Sequence, residues 1–367
     1  MSIFAGALTD RFDKKKTMLS CDAFAALCTL IIFVLFRTNR LMVWHLYVLN
    51  VISGLMNTVQ QPASEVAMTL IIPENYYQKT SGLRSLSRSL TSILNPLIAT
   101  ALYSLAGLNI VIAVDIGSFA VAFVALLFFI KISDNKCQKG KSVLNLAKEG
   151  LVFLKKNPLI MTLILFMSGV NLVASAFDAT LPGYVIPNPK GGSSVLGIVT
   201  SCAGIAMTIS SLMVSVLPKP KDRVRIIYLT MLFSLGTENF LLAFSREPVL
   251  WCISQLIGWI LVPIMSANLD VILRTTIPVE LQGRVYACRN TLQFFTIPIG
   301  LFLGGFMVDN ICEPFMRVYG DSSILKTLFG TGKGSGAALM MFILGVSGSL
   351  ICIITGKKLK KYQYEEK

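Results

Sequence analysis

Long apolar runs, separated by short polar segments rich in lysine and arginine, cover almost the whole chain. A run of about 20 apolar residues crosses roughly 30 Å of hydrocarbon as a helix, with every backbone hydrogen bond made inside the segment. Such runs fall at 17–36, 42–70, 81–105, 109–131, 158–182, 193–217, 224–244, 249–274, 285–309 and 335–356, after a short apolar stub at 1–8. The pattern predicts an all-α polytopic membrane protein with ten full spans. One polar segment has a periodicity of its own. Over 141–156, Leu144, Ala147, Leu151 and Leu154 share one helical face, while Lys141, Lys148 and Lys155 share another. This predicts an amphipathic helix in the membrane interface, with a solvated linker as the plainer alternative. The segment divides the chain into a half at 1–131, a basic linker at 132–157, a second half at 158–356 and a basic tail at 357–367.

The halves repeat. Ile72-Pro73 followed by Arg84 matches Ile277-Pro278 followed by Arg289 at a constant offset of 205, and at that offset Lys79 falls on Arg284. Each copy leaves a polar-streaked span, turns through a short basic loop, and enters a span containing proline, Pro96 or Pro298. Paired halves of this kind are what transporters rock about a central site.

Composition agrees with the pattern. The chain is 54% hydrophobic and 14% charged, with a mean hydropathy of +0.69, where a soluble chain carries about a quarter charged residues. Its net charge of +14 is explained by topology rather than by a nucleic-acid partner. With segment 10–16 on the inside and the spans alternating, 26 of the 33 lysines and arginines lie on the cytoplasmic side. The same orientation places the C-terminus in the cytoplasm of a multi-pass plasma-membrane protein. Eight scattered cysteines, of which only Cys312 falls clearly outside, and one histidine (His45) give no metal site, cofactor site or disulfide framework. The segment Gly330–Gly336 is not a phosphate loop, because Thr327 and Gly334 occupy positions that need Gly and Ser/Thr. It reads as a flexible lead-in to the last span. No catalytic constellation is present, so an enzyme is not expected.

Between the first stub and the first span stands Gly6-x-Leu8-x-Asp10-Arg11-x-x-Lys14-Lys15. This resembles the signature loop between the second and third helices of the major facilitator superfamily. Further features resemble the branch of macrolide-efflux and siderophore-export permeases: Ser20-Cys21-Asp22, Asp115-Ile116-Gly117-Ser118-Phe119, Glu149-Gly150 leading to Lys156-Asn157-Pro158, and the glycines at 332–336. The resemblance covers essentially the whole chain. It implies a twelve-helix fold of two pseudo-symmetric halves, of which the first helix and most of the second would be missing here. It also implies that Asp10 engages the start of the span at 285–309, near Arg284 and Arg289, with Lys14 and Lys15 in the same gating network. The plainer alternative is topological anchoring by Arg11 and Lys14–Lys16. The antiporter motif expected in the fifth helix is reduced to Thr91, Asn95-Pro96, Ala99 and Thr100, whereas Pro298 and Gly304-Gly305 remain in the eleventh.

The family's fourth, seventh and tenth helices line a central cavity, and the corresponding spans carry polar stripes. These are Asn50, Ser53, Asn57, Gln60, Gln61 and Ser64; then Ser168, Asn171, Ser175 and Asp178; then Trp251, Gln255, Trp259 and Ser266. In a bilayer such groups face protein or water, so each stripe lines the cavity or serves as interhelical packing. Asn57, Gln60, Gln61, Asn171, Ser175, Gln255 and Trp259 are the candidate substrate contacts. Acids in or near the spans are Asp22, Glu65, Asp115, Asp178, Glu238, Asp270 and Asp309. Asp178, on a stripe, is the first candidate for proton coupling, followed by Asp22 and Asp115; a paired or water-exposed acid is the alternative. The expected function is export of small amphiphilic compounds by proton- or other ion-coupled alternating access, by a monomer in the lipid bilayer. The alternative is a shortened membrane remnant or interaction protein that does not transport.

Overall fold

A computed structural model of the protein describes residues 13–130, 143–320 and 323–365, and its regular elements are all helical. In chain order they are α1 (Lys14–Arg37), α2 (Val43–Ile71), α3 (Tyr77–Val124), α4 (Val143–Lys156), α5 (Pro158–Val185), α6 (Ser193–Val216) and α7 (Arg223–Phe244). There follow α8 (Pro248–Ile260), α9 (Val262–Thr276), α10 (Val279–Phe294), α11 (Thr296–Met307), α12 (Glu313–Tyr319), α13 (Ser323–Phe329) and α14 (Ser335–Glu365). Among the described residues, eight helical stretches are long and apolar enough to cross a membrane. Helix α2 has the length, at 29 residues, but its polar streak keeps it outside that set. Large apolar side chains such as Val121, Phe128, Ile198, Val216, Phe233, Phe302 and Ile354 stand exposed on the helices. Water would not tolerate so much apolar surface; lipid does.

Several predicted boundaries move, for local reasons. The spans at 81–105 and 109–131 are one helix, α3, broken only at Gly107, where φ is +71°, a value glycine takes without steric cost. The backbone stays helical at Pro96. The span at 249–274 is divided at Leu261, two residues before Pro263, whose ring and missing N–H interrupt helical hydrogen bonding. In the same way the break between α10 and α11 falls at Phe295, three residues before Pro298. Helix α10 starts at Val279, well before the predicted 285, because Gln282 and Arg284 are polar yet fully buried and hydropathy does not count them. Beyond α11 the chain continues through a π turn, Val308–Cys312, into α12. Cys312 is buried within this stretch. The last helix extends past the predicted 356 into the basic tail.

The chain divides into two compact units. One comprises Met1–Glu74, Leu94–Lys156 and Arg274–Thr291. In its described part α1 packs on α2. Helix α4 buries Leu154 completely, and Gly150 lies flat on Arg284, where a Cβ would stand 3.0 Å from the arginine Cβ. So α4 is docked on protein through the face that carries Gly150 and Leu154. The other unit comprises Asn75–Ile93, Asn157–Leu273 and Leu292–Lys367. There α14 packs on α5 and α7, α11 on α5, and α8 on α6 and α7. The glycine-rich lead-in to α14 is held rather than loose: Gly330, Gly332 and Gly334 take φ of +80°, +90° and +95°, and the Gly334 amide donates to Glu313 Oε1 at 2.7 Å. Both Ile-Pro pairs end one helix and lead into the next, α2 into α3 and α9 into α10, as the restricted residue before proline requires.

The α5–α11 seam is the closest in the second unit. A Cβ on Gly300 would lie 2.1 Å from Ser175 Oγ and 2.4 Å from Leu172 O, and one on Gly304 would lie 2.4 Å from Ala176 O. Small residues at such spacing let helix backbones meet in a bilayer, where apolar burial alone gives no drive to associate. Gly300→Ala and Gly304→Ala are each expected to lower the thermal unfolding midpoint in detergent, at a cost of about 1–3 kcal/mol from overpacking. Gly305→Ala, which meets nothing within 4 Å, should leave the midpoint unchanged. Equal midpoints for all three variants would refute the tight seam.

Candidate functional site

Of the signature-loop residues, Gly6, Asp10 and Arg11 lie outside the described residues. Asp13 is the N-cap of α1, accepting from the Lys16 amide at 3.0 Å, a standard use of aspartate at that position. Lys14 is buried. Lys15 Nζ donates to the carbonyls of Leu127 and Ile130 at 2.9 and 2.8 Å. Those carbonyls close the π turn after α3, where freed carbonyl oxygens favour a cation. Arg284, fully buried, pairs with Glu149 of α4 and donates to Glu280 O. Arg289 is buried too, hydrogen-bonded to Asn290 Oδ1 at 3.0 Å and lying over the Tyr286 ring at 5.2 Å. In this unit the linker helix thus supplies an acidic partner for Arg284.

Two candidate carboxylates of the first unit accept hydrogen bonds across helices. Gln60 Nε2 donates to Asp22 Oδ1 at 2.7 Å, and Thr29 Oγ1 donates to Asp115 Oδ2 at 3.0 Å. Asp22 is half-buried and Asp115 exposed. Asn57 is exposed and Gln61 half-buried on α2.

A second buried ion pair of this unit was only partly legible in the sequence. Glu65 Oε2 accepts from Arg274 Nη2 at 2.8 Å, with both side chains 5% exposed. Arg274 Nη1 donates to Thr69 Oγ1 at 2.7 Å and to Glu65 O at 3.1 Å. Gln282 Nε2 donates to the backbone carbonyls of Arg274 and Ile277 at 3.3 and 3.0 Å, which fixes the turn into α10. Glu65 stood among the acids near the spans. Arg274 closes the predicted span at 249–274. No sequence signal joins the two.

In the second unit, Asn171 Nδ2 donates to Gln293 O at 2.9 Å, and Ser175 Oγ turns back to Asn171 O against Gly300. Both side chains are used in packing. Trp251 is wholly buried, its indole N–H donating to Ser245 O at 3.3 Å beside Tyr184. Asp178, by contrast, is exposed. Glu238 of α7, 5% exposed, lies within electrostatic reach of Asp178 and beside Gln255 and Trp259 of α8. Glu238 Oε1, Gln255 Nε2 and Trp259 Nε1 are all buried, with the amide and the indole turned toward the carboxylate. Gly258 makes room for the carboxylate, since a Cβ there would stand 2.4 Å from Glu238 Oε2. The sequence separated Glu238 from Gln255 and Trp259 onto two spans; the fold brings the three side by side. No group of His, Cys, Asp or Glu among the described residues has metal-binding geometry.

Residues 1–301 match the family described as Major Facilitator Superfamily. The chain is 24% identical over 311 residues to macrolide efflux protein A of Streptococcus pyogenes, covering 83% of this chain and 76% of that protein. It is likewise 24% identical over 324 residues to the multidrug efflux pump Tap of Mycolicibacterium fortuitum, covering 84% and 77%. In fold it is similar to a bacterial homologue of the iron transporter ferroportin in an outward-facing state, with a TM-score of 0.67, 14% identity, and coverage of 97% of this chain and 86% of that one.

Removing one partner of a buried ion pair strands the other charge, at a cost of about 3–5 kcal/mol, whereas replacing both by apolar residues of similar volume is often neutral. Arg274→Gln is therefore expected to destabilise the purified protein strongly. Glu65→Leu combined with Arg274→Met should recover most of the loss in a double-mutant cycle read by thermal unfolding. A double variant as unstable as the single one would show that the pair contributes by shape and not by charge neutralisation.

Proposed function

The chain belongs to the Major Facilitator Superfamily, and on that premise we propose that it exports small amphiphilic compounds of the macrolide or drug kind by proton-coupled alternating access. As a family member it is a secondary-active, multi-pass transporter of the plasma membrane that handles a small-molecule substrate, and it is not an enzyme. The observation that carries the coupling reading is Asp178. It is an exposed carboxylate two turns from the end of an apolar span, and an ionisable side chain within a bilayer helix faces water or a partner and has a use. The export reading draws support from the two relatives named for efflux.

In this reading Trp259 and Gln255 offer an aromatic face and an amide to an amphiphilic substrate, next to Asp178. The gate on the cytoplasmic side is assigned to the first unit. It comprises Gly6, Asp10, Arg11, Lys14 and Lys15 of the signature loop, with Arg284 and Arg289 at the start of α10, and the C-terminus lies on the same side. Asp22 and Asp115, each hydrogen-bonded to a neighbouring helix, serve that unit's helix packing while Asp178 carries the coupling.

Proteoliposomes loaded with a radiolabelled macrolide provide the test. An imposed pH gradient is expected to drive macrolide movement with countermovement of protons. Asp178→Asn should lower gradient-driven transport at least tenfold and leave macrolide–macrolide exchange intact. Absence of gradient-driven transport by the unaltered protein for every amphiphile tried would overturn the proposal.

A further inference from the structure

Along α7 the surface of the second unit is hollowed into a groove that reaches the start of α8. It holds about 560 Å³ and is lined by Leu232, Phe233, Phe240, Leu241, Phe244 and Leu250. Gly236 lines it too and carries no side chain to fill it. Helix α14 closes in there, with Ser349 Oγ 3.3 Å from where a Cβ would stand. Toward the C-terminal end of α7 the wall is braced by rings. Phe244 stacks on Phe240 and on Phe329 of α13, with centroids 6.4 and 6.0 Å apart, and Phe342 of α14 lies 5.7 Å from both Phe240 and Phe244. Rings packed from three helices hold that wall in place before anything binds, which lowers the cost of binding.

The groove is apolar along its length and cationic at one end. From Leu232 to Ser245, both of which line it, α7 runs for about 20 Å at 1.5 Å per residue. That exceeds half of the roughly 30 Å of hydrocarbon, so an extended acyl chain of one leaflet can lie in it. Immediately beyond Ser245 stands Arg246, exposed, its Nη2 donating to Lys326 O at 2.8 Å and to Thr327 O at 3.3 Å. Its guanidinium lies on Gly330, where a Cβ would be 3.1 Å from Cζ. These contacts fix the group at the end of the groove and leave Nη1 and Nε available to donate. Lys326 is exposed as well. Among the described residues neither cation forms an ion pair, whereas the neighbouring Glu247 is already paired with Lys190. A fixed, unneutralised guanidinium suits a phosphate, whose oxygens accept its N–H groups in pairs. A cationic amphiphile would be repelled at the same place.

We propose that this groove binds an anionic phospholipid, with one acyl chain lying along α7 and the phosphate held by Arg246 and Lys326. The proposal adds a lipid partner and depends on neither the substrate nor the coupling ion.

Native mass spectrometry of the full chain, released from detergent micelles that contain defined lipids, tests it. Palmitoyl-oleoyl phosphatidylglycerol is expected to be retained over phosphatidylcholine of the same chains by about fivefold or more, the effect of one basic side chain near an anionic headgroup. Arg246→Gln should remove most of that preference. Leu250→Trp, which narrows the groove and keeps both cations, should lower the retention of phosphatidylglycerol to a similar degree. If Arg246→Gln does not fold, Lys326→Gln, a change at an exposed side chain, takes its place beside Leu250→Trp. Equal retention of the two lipids by the unaltered protein, or a preference unchanged in the folded variants, overturns the proposal. So does equal retention of dihexanoyl phosphatidylglycerol, since the headgroup would then suffice without the groove. One-for-one displacement of phosphatidylglycerol by a macrolide would assign the groove to substrate and overturn it too.

Discussion

In a chain this apolar, a polar side chain that leaves water must find its partner in the protein, and that requirement governs both units. Lipid offers neither a donor nor an acceptor. The first unit meets the requirement with the Glu65–Arg274 pair, whose guanidinium also reaches Thr69 and a backbone carbonyl. The pair holds the end of α9 against α2. The turn into α10, pinned by Gln282, then places Arg284 on α4. A buried pair of this sort specifies an arrangement more than it stabilises one, because desolvation offsets most of the attraction.

The second unit treats the same requirement differently at two places. Along the α5–α11 seam, each polar group turns to a nearby carbonyl: Ser175 to Asn171 O, Asn171 to Gln293 O, and Thr296 to Ser168 O at 2.9 Å. These bonds, together with Gly300 and Gly304, join two helices at close range. Between α7 and α8, Glu238 lies buried against Gly258, with Gln255 and Trp259 beside its carboxylate.

The spans were legible in the sequence because hydropathy over about 20 residues reports the lipid-crossing requirement directly. Helices α1, α6 and α7 begin and end within a few residues of the predicted runs. What hydropathy missed, it missed for one reason: it scores a residue's own polarity and is blind to its partner. The first turns of α10 carry Gln282 and Arg284 and so read as loop, although both are buried. The Glu65–Arg274 pair joins residues 209 apart, and no local pattern links them. Stripe residues divided the same way. Ser175 and Asp178 share a helical face in the sequence, yet one is buried against a glycine and the other exposed. Glu238 stood among several acids with nothing to single it out, because its special position comes from Gly258, Gln255 and Trp259 on the next helix.

The internal repeat gives the Glu65–Arg274 pair a further meaning. At the offset of 205 that relates the two Ile-Pro segments, Glu65 corresponds to Asp270 and Thr69 to Arg274. Arg274 donates to Thr69, its own counterpart, at 2.7 Å. The acid is kept at both positions; the guanidinium stands at only one, and the other holds a hydroxyl. Glu65 accepts from Arg274, and Asp270 accepts from Ser81, so the acid of each copy is tied to a residue of another helix. The repeat keeps the acid at both turns and varies the residue one helical turn beyond it, so the two related turns are alike in plan and different in side chain.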